Sequence, residues 1–155
     1  MYFVEKIKEI TNKKETIIFV DMDGVIADYE FGSPIDYKNK RPIRSNIAVF
    51  EELSKLSHVR LEIMSIGRTR KNIYEKNDWL DLNAPFFDKV YRNIFAKREE
   101  KLKGKEIKCK FLEKRIKENP DIFYIVVDDD NEILKYLKSN HGENIVLFQD
   151  SSLVD

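Results

Sequence analysis

Apolar residues recur along the chain in two alternating patterns, and the alternation predicts an α/β fold. Short runs of consecutive apolar, mostly β-branched residues are typical of buried strands, and they occur at residues 16–20, 59–64, 86–91, 122–127 and 144–148. Between them, apolar residues three or four positions apart predict helices that bury one face. These helices cover residues 1–12, a segment capped by Ser45, and residues 70–82, 106–118 and 131–139.

Strands that alternate with helices favour a parallel sheet covered by helices on both faces. We therefore expect a three-layer, Rossmann-like domain with a mainly parallel sheet of about five strands. A chain of 155 residues is typical of a single domain. Residues 1–14 should add an amphipathic helix on the outside of this domain, and residues 29–44 read as a long loop.

Charge and cysteine content narrow the class of protein. The 28 basic and 28 acidic residues cancel, so any site for a polyanion must be a local patch. The single cysteine, Cys109, excludes an intrachain disulfide and fits a reducing compartment. No apolar run approaches the roughly 20 residues of a membrane helix, and the charged N-terminus lacks a signal-peptide core. We expect a soluble, cytoplasmic protein that does not bind membranes.

Two carboxylates and a glycine directly follow the first predicted strand. Asp21 and Asp23 are one residue apart, and Gly24 allows the backbone to turn sharply after them. Burying acids at a strand end costs several kcal/mol unless a cation or hydrogen-bond donors compensate. In α/β sheets the carboxyl ends of the strands are where ligands bind. The pattern therefore predicts a site for a hard cation and a substrate at this edge.

Later strand ends carry further polar residues. Ser65 follows the second predicted strand, and Gly67 and Arg68 come soon after it. A guanidinium suits phosphate oxygens, so Arg68 is either a phosphate clamp or an ordinary surface arginine. The predicted strand 122–127 runs into Asp128 and Asp129. Asp130, the next residue, is expected to cap the following helix.

Two groups of basic residues leave alternatives open. The first is Lys38, Lys40, Arg41 and Arg44 in the long loop, which either are solvated or guide an anionic substrate toward Asp21. The second is the basic run at residues 97–110, most of which we interpret as solvated.

The segment that follows the first strand resembles the first motif of the haloacid-dehalogenase (HAD) phosphohydrolase superfamily, D-x-D-G-[TV]-[LI]-x-D. The matching residues are Asp21, Asp23, Gly24, Val25, Ile26 and Asp28. Ser65 would be the second motif, and Asp128-Asp129 the fourth. The family also needs a lysine in the first turn of the helix 106–118, for which we favour Lys108 over Lys110 and Lys105.

The resemblance implies a role for each matching residue. Asp21 would attack phosphorus to give an aspartyl-phosphate, and Asp23 would act as acid and then as base. The cofactor would be Mg²⁺, bound by the Asp21 carboxylate, the Asp23 backbone carbonyl and Asp128, with Asp129 hydrogen-bonding the site or reaching the metal through water. Ser65 and Lys108 would complete the phosphate cradle, with Gly24 and Gly67 shaping it.

Two subfamilies resemble different parts of the chain. Residues 20–30 are similar to the 5′(3′)-deoxyribonucleotidases, although those carry a helical cap that the 44 residues from Asp21 to Ser65 cannot hold. We therefore expect a minimal cap or none, which goes with large substrates or a shared lid. The later layout resembles the 3′-phosphatase domain of phage-type polynucleotide kinase–phosphatase. The resemblance rests on Asp36-Tyr37, Ser65-Ile66-Gly67-Arg68, Trp79-Leu80 and the spacing from Lys108 to Asp128; Asp130 replaces that family's usual arginine.

We therefore expect an Mg²⁺-dependent phosphatase that acts on a nucleotide or a nucleic-acid 3′-phosphate. The alternatives are a 5′(3′)-deoxyribonucleotidase and a small-metabolite phosphatase. A non-catalytic domain, either HAD-like or similar to response-regulator receivers, is a more remote alternative. In receivers, however, the acid pair closes the first strand and the lysine closes the last one, which differs from the order found here.

Overall fold

A computed structural model describes residues 1–29 and 37–154 of the chain. Its strands are β1 (Thr16–Val20), β2 (Val59–Gly67), β3 (Arg92–Ala96), β4 (Phe123–Asp128) and β5 (Ile145–Gln149). Its α-helices are α1 (Tyr2–Thr11), α2 (Arg44–Ser54), α3 (Arg70–Asn83), α4 (Lys97–Glu100), α5 (Gly104–Glu118) and α6 (Asn131–His141). Short 3₁₀ helices lie at Tyr37–Asn39, Lys89–Tyr91 and Asp150–Leu153.

The five strands form one parallel sheet in the order β3-β2-β1-β4-β5. Successive side chains of β1 point to opposite faces, as the pleat of a strand requires. Ile18 and Val20 pack in a core with α1, α2 and α3, whereas Ile17 and Phe19 pack in a second core with α5 and α6. The predicted α/β fold with three layers and a five-stranded sheet is therefore confirmed.

The strand register brings the polar strand ends to one edge. Val20 of β1 lies opposite Ile63 of β2 and opposite Val127 of β4. Asp21 therefore follows next to Asp128, while β2 continues four residues further along the same edge. The predicted Asp and Ser residues share this edge because all three central strands run in one direction.

A tight turn follows β1 and carries Asp23 and Gly24. The Gly24 N–H donates to the carbonyl of Ala27 (2.8 Å), and the Ala27 N–H donates to the carbonyl of Met22 (2.9 Å). Gly24 has a φ of 79°, a left-handed conformation that other residues rarely adopt. The turn buries Val25 and Ile26 completely, so the apolar half of this segment anchors the two aspartates.

Three predicted details are wrong. Residues 86–91 form a loop and a 3₁₀ helix, and the third strand is Arg92–Ala96. Ser65 lies within β2 rather than after it, because pairing with β3 extends β2 to Gly67. The helix α2 begins before Ser45, and its N-cap is Ile43.

Other predicted elements agree to within a few residues. Asp130 caps α6, since its Oδ1 accepts from the backbone of Glu132 (2.9 Å) and Ile133 (3.4 Å). Asp36, part of the predicted resemblance, lies outside the described residues. Among the helices of residues 1–29 and 37–154, none is long and apolar enough to cross a membrane.

Candidate functional site

Three aspartates meet where β1 and β4 end. Asp21, Asp128 and Asp129 each offer a carboxylate oxygen, and these oxygens all lie within 4.8 Å of one another. Asp128 is completely buried as the last residue of β4, and Asp21 is largely buried. Parallel pairing of β1 with β4 produces this cluster, because the acids follow equivalent positions of neighbouring strands.

Lys108 joins two of these aspartates. Its Nζ donates to Asp128 Oδ2 at 2.6 Å and lies 3.3 Å from Asp21 Oδ1. The lysine is buried because α5 packs its first turns against the sheet. Of its predicted rivals, Lys105 pairs with Glu132 and Lys110 is exposed. The structure thus places Lys108, and neither rival, at the aspartate cluster.

The electrostatics of the cluster reflect a surplus of negative charge. Burial raises the pKa of Asp21 well above its usual value, although Lys108 opposes this, and Asp128 raises it further. Burial and Asp128 also raise the pKa of Asp129 to about 6. Burial alone would lower the pKa of Lys108, but the two aspartates outweigh it and raise this pKa.

This donor set fits a hard divalent cation. Magnesium prefers oxygen ligands, and its sites typically use one or two carboxylates together with waters and substrate phosphates. The repulsion among three close carboxylates, offset in the described residues by one lysine, is what a cation would relieve. Asp21, Asp128 and Asp129 are thus the side chains that could hold Mg²⁺.

Gly24 allows Asp129 to approach the turn after β1. A Cβ at position 24 would overlap the Asp129 carboxylate at Oδ2. Since φ at this residue is also positive, glycine is required here for two separate reasons. Gly24 therefore allows the predicted sharp turn and leaves room for Asp129, while a role in phosphate binding stays a prediction.

Asp23 lies outside the aspartate cluster and pairs with two lysines. Lys40 Nζ donates to its Oδ1 at 2.6 Å, and Lys76 Nζ donates to its Oδ2 at 3.0 Å. Burial alone would raise the pKa of Asp23, but Lys76 and Lys40 outweigh it, and the pKa lies below its usual value. Binding of a metal by the Asp23 backbone carbonyl stays a prediction.

Lys76 also connects Asp23 to Ser65. Its Nζ donates to Ser65 Oγ (2.7 Å) and to the carbonyl of Ile66 (2.9 Å). Ser65 is completely buried, so this lysine fixes the position of its hydroxyl. Because the ammonium already donates to Oγ, the hydrogen of the Ser65 hydroxyl is left to donate elsewhere.

Aromatic residues surround the two lysines. The Tyr37 ring centroid is 4.7 Å from Lys40 Nζ and 5.3 Å from Lys76 Nζ. Trp79 packs edge-on against Tyr37 and donates from Nε1 to the carbonyl of Lys40 at 2.9 Å. The segment around the 3₁₀ helix Tyr37–Asn39 thereby packs against α3, and this packing holds Lys40 beside Asp23.

The backbone at Gly67 and Arg68 contacts Asn72 of α3, and phosphate binding by these two residues stays a prediction. Asn72 Oδ1 accepts from the backbone N–H groups of Arg68 (3.1 Å) and Thr69 (3.0 Å), so these donors are already used. A Cβ at Gly67 would approach Asn72 Cβ to 2.6 Å, so this glycine permits the packing of α3. The Arg68 side chain is exposed and lines a neighbouring open cavity.

Lys40 and Lys76 are the site residues that the sequence pattern did not single out for a role. Lys40 was one of four loop cations, and the other three, Lys38, Arg41 and Arg44, are exposed. Lys76 carried a usable signal, since it lies three and four residues before Trp79 and Leu80, on the face of α3 that is buried. A lysine on a buried helical face needs a carboxylate partner, and Asp23 is that partner.

The arrangement combines groups that suit attack on a phosphate ester. Asp21 is a buried carboxylate held by Lys108, and Asp23 is a second, more exposed carboxylate two residues further along the chain.

Comparisons with known proteins found nothing similar to this chain. No family model matches it, and neither the curated proteins nor the solved structures contain a significant match.

Proposed function

We propose that this chain is an Mg²⁺-dependent phosphomonoester hydrolase that works through an aspartyl-phosphate on Asp21. The observation that carries the proposal is the cluster of Asp21, Asp128 and Asp129. Lys108 forms ion pairs with the first two of these aspartates. The order of Asp21, Asp23 and Gly24 after β1, and its likeness to the first HAD motif, support the same reaction.

In the first step, the Asp21 carboxylate oxygen attacks phosphorus and the bond from phosphorus to the leaving oxygen breaks. Lys108, 3.3 Å from Asp21 Oδ1, keeps the carboxylate in place and offsets negative charge. In this step we expect the Ser65 hydroxyl, whose oxygen already accepts from Lys76, to donate its hydrogen to a phosphoryl oxygen. When bound, Mg²⁺ supplies further neutralisation of the carboxylates and the phosphate.

Asp23 is placed to move the proton in both steps. A bound phosphate adds negative charge, which raises the pKa of Asp23 toward the protonated form that can donate to the leaving oxygen. In the second step, the ionised Asp23 takes a proton from water. The water oxygen then attacks phosphorus, the bond to Asp21 breaks, and inorganic phosphate leaves.

The proposed substrate is a nucleotide or a nucleic-acid 3′-phosphate. The described parts of the segment between β1 and α2 are a tight turn and one 3₁₀ helix, both packed on the domain. The described part of this segment adds no further domain, and a strongly basic surface lies where β2 and β3 end. Such a surface suits a substrate that carries more than one phosphate.

The test is Mg²⁺-dependent phosphate release from a 3′-phosphorylated DNA oligonucleotide, a deoxynucleoside monophosphate and an aryl phosphate. Asp21→Asn removes the nucleophile without a change of volume, and we expect it to lower kcat at least a thousandfold. Asp121→Asn, at an exposed acid on the opposite edge of the sheet, is the matched control.

An acid quench during turnover of a ³²P-labelled substrate should leave label on the wild-type protein and none on Asp21→Asn. Retained turnover in that variant would contradict the assignment of Asp21. Preference for the mononucleotide would favour a nucleotidase, and release from the aryl phosphate alone would favour a small-metabolite phosphatase. No release from any of the three would refute the proposal.

A further inference from the structure

A cavity of about 700 Å³ opens where β2 and β3 end and is lined by an excess of cations. The charged residues in its wall are Arg68, Lys97, Arg98, Lys101, Lys103 and Glu106. We call this surface the basic groove. It contains five positive side chains and one negative one, in a chain whose formal net charge is zero.

The five cations of the basic groove have no carboxylate partner within the described residues, whereas many cations elsewhere in the fold do. Glu99 of α4 pairs with the adjacent Arg70 at 3.0 Å, so the charge of this acid is already compensated. Glu106 accepts from the backbone N–H of Lys103 and so caps α5. Within the described residues, the positive charge of the groove is therefore not compensated by ion pairs.

The basic groove is built from the elements that also build the site. Arg68 follows β2, the strand that carries Ser65, and Lys97 and Arg98 begin α4 directly after β3. Lys103 precedes α5, whose Lys108 lies one turn beyond Gly104, or about 6 Å along the helix axis. Gly104 packs near Ile66, next to Ser65. The groove thus adjoins the site along the carboxyl edge of the sheet.

We propose that the basic groove binds the backbone phosphates of a single-stranded nucleic acid whose terminal phosphate lies at Asp21. This inference rests on the proposed function and assigns a place to the rest of its substrate. Exposed lysines and arginines spread over three structural elements suit a row of phosphates, because each cation can neutralise a separate phosphate. A single phosphate group would engage one or two of them and leave the rest unpaired.

Binding is measured first, without turnover. A 5′-fluorescein DNA strand of about ten nucleotides with a 3′-phosphate is titrated with protein in EDTA and followed by anisotropy. The groove variant Lys97→Gln/Arg98→Gln/Lys101→Gln is compared with Lys13→Gln/Lys14→Gln/Lys138→Gln. The second set lies at the opposite, amino-terminal edge of the sheet and removes the same charge.

Each phosphate contact on a single strand contributes about 0.7 to the slope of log Kd against log salt. The groove variant should therefore lower the slope by about 2 and weaken binding roughly 100-fold at about 0.1 M salt. The control should change Kd less than about threefold. Equal effects of the two variants, or a slope unchanged in the groove variant, would overturn the inference.

A kinetic experiment separates this inference from the proposed function. With Mg²⁺, the groove variant should lower kcat/KM for the oligonucleotide relative to that for an aryl phosphate by a similar factor of about 100. The wild-type protein could bind the strand through the groove and yet release no phosphate from any substrate. That result would refute the proposed hydrolase activity and leave the binding role of the basic groove standing. Groove-dependent binding to vesicles with anionic lipid, without binding to the strand, would overturn the inference in favour of a membrane surface.

Discussion

The ion pair between Glu62 and Arg115 joins the strand that carries Ser65 to the helix that carries Lys108. Glu62 lies within β2 and is 1 % exposed. Arg115 of α5 donates from Nη1 to Oε1 and from Nη2 to Oε2, both at 2.7 Å. Its guanidinium carbon also lies 5.2 Å from the centre of the Phe19 ring. We expect this pair to be a principal connection between the two elements.

We predict that Arg115→Met lowers the free energy of unfolding by about 3 kcal/mol. Removing one partner of a buried ion pair costs about 3–5 kcal/mol, because the other charge is left uncompensated. The lower end applies here, since Arg60 (3.1 Å) and Asn93 (2.9 Å) still donate to Glu62 and methionine retains apolar contact with Phe19.

Urea unfolding followed by circular dichroism measures this cost. A double-mutant cycle with Glu62→Gln should give a coupling energy of about 2 kcal/mol, because the double variant no longer buries an unpaired charge. Lys117→Met is the control, since it breaks an exposed pair with Glu113 worth under about 0.5 kcal/mol. If Arg115→Met costs no more than Lys117→Met, the buried pair does not hold β2 to α5.

Three further predictions concern stability and the site. Burial alone would raise the pKa of Glu62, but Arg115, Asn93 and Arg60 together outweigh it and lower this pKa. The ionised Glu62 therefore stabilises the fold above the unfolded pKa of about 4.3. This stabilisation is lost as the pH falls through the lower pKa of the folded state. The difference in unfolding free energy between wild type and Glu62→Gln should therefore shrink progressively as the pH falls below about 4. A difference that stays constant would contradict this. Lys76→Met should lower kcat/KM on an aryl phosphate about 100-fold, because the Lys76 ammonium holds both the Asp23 carboxylate and the Ser65 hydroxyl. Lys71→Met, at an exposed lysine of the same helix, is the control. Equal activity of the two variants would contradict a positioning role of Lys76. Gly24→Ala should abolish turnover and destabilise the fold by more than about 1 kcal/mol, because φ is positive here and a Cβ would overlap the Asp129 carboxylate. Phosphate release and urea unfolding measure the two effects. An active and stable variant would show that Asp129 can move away.

The fold was predictable where strands are continuous in apolar residues. β1 was predicted with its observed bounds, because all five of its residues are buried between the two layers of helices. β3 was missed because polar residues begin it: Arg92 donates to the carbonyl of Phe87 and to Asp81, and Asn93 donates to Glu62. Partners distant in sequence satisfy these residues, so their burial leaves no local pattern.

The candidate site was predictable where a residue ends a strand. Asp21 and Asp128 follow apolar runs, and the parallel sheet necessarily brings them together. The positions of Lys40 and Lys76 depend on how α3 and the 3₁₀ helix pack, which no local pattern fixes. Tyr74 of α3 is 64 % exposed for the same reason, since the buried face of this helix is the one with Lys76 and Trp79.

The two lysines on Asp23 differ in how many hydrogens they have left. Lys76 has three N–H groups, and its three described bonds, to Asp23, Ser65 and Ile66, use them all. Lys40 makes one such bond within the described residues, to Asp23. Lys76 is thus a fixed crosslink between α3, β2 and the turn after β1, whereas Lys40 has two further hydrogens without a hydrogen-bond acceptor among residues 1–29 and 37–154 and lies against the Tyr37 ring.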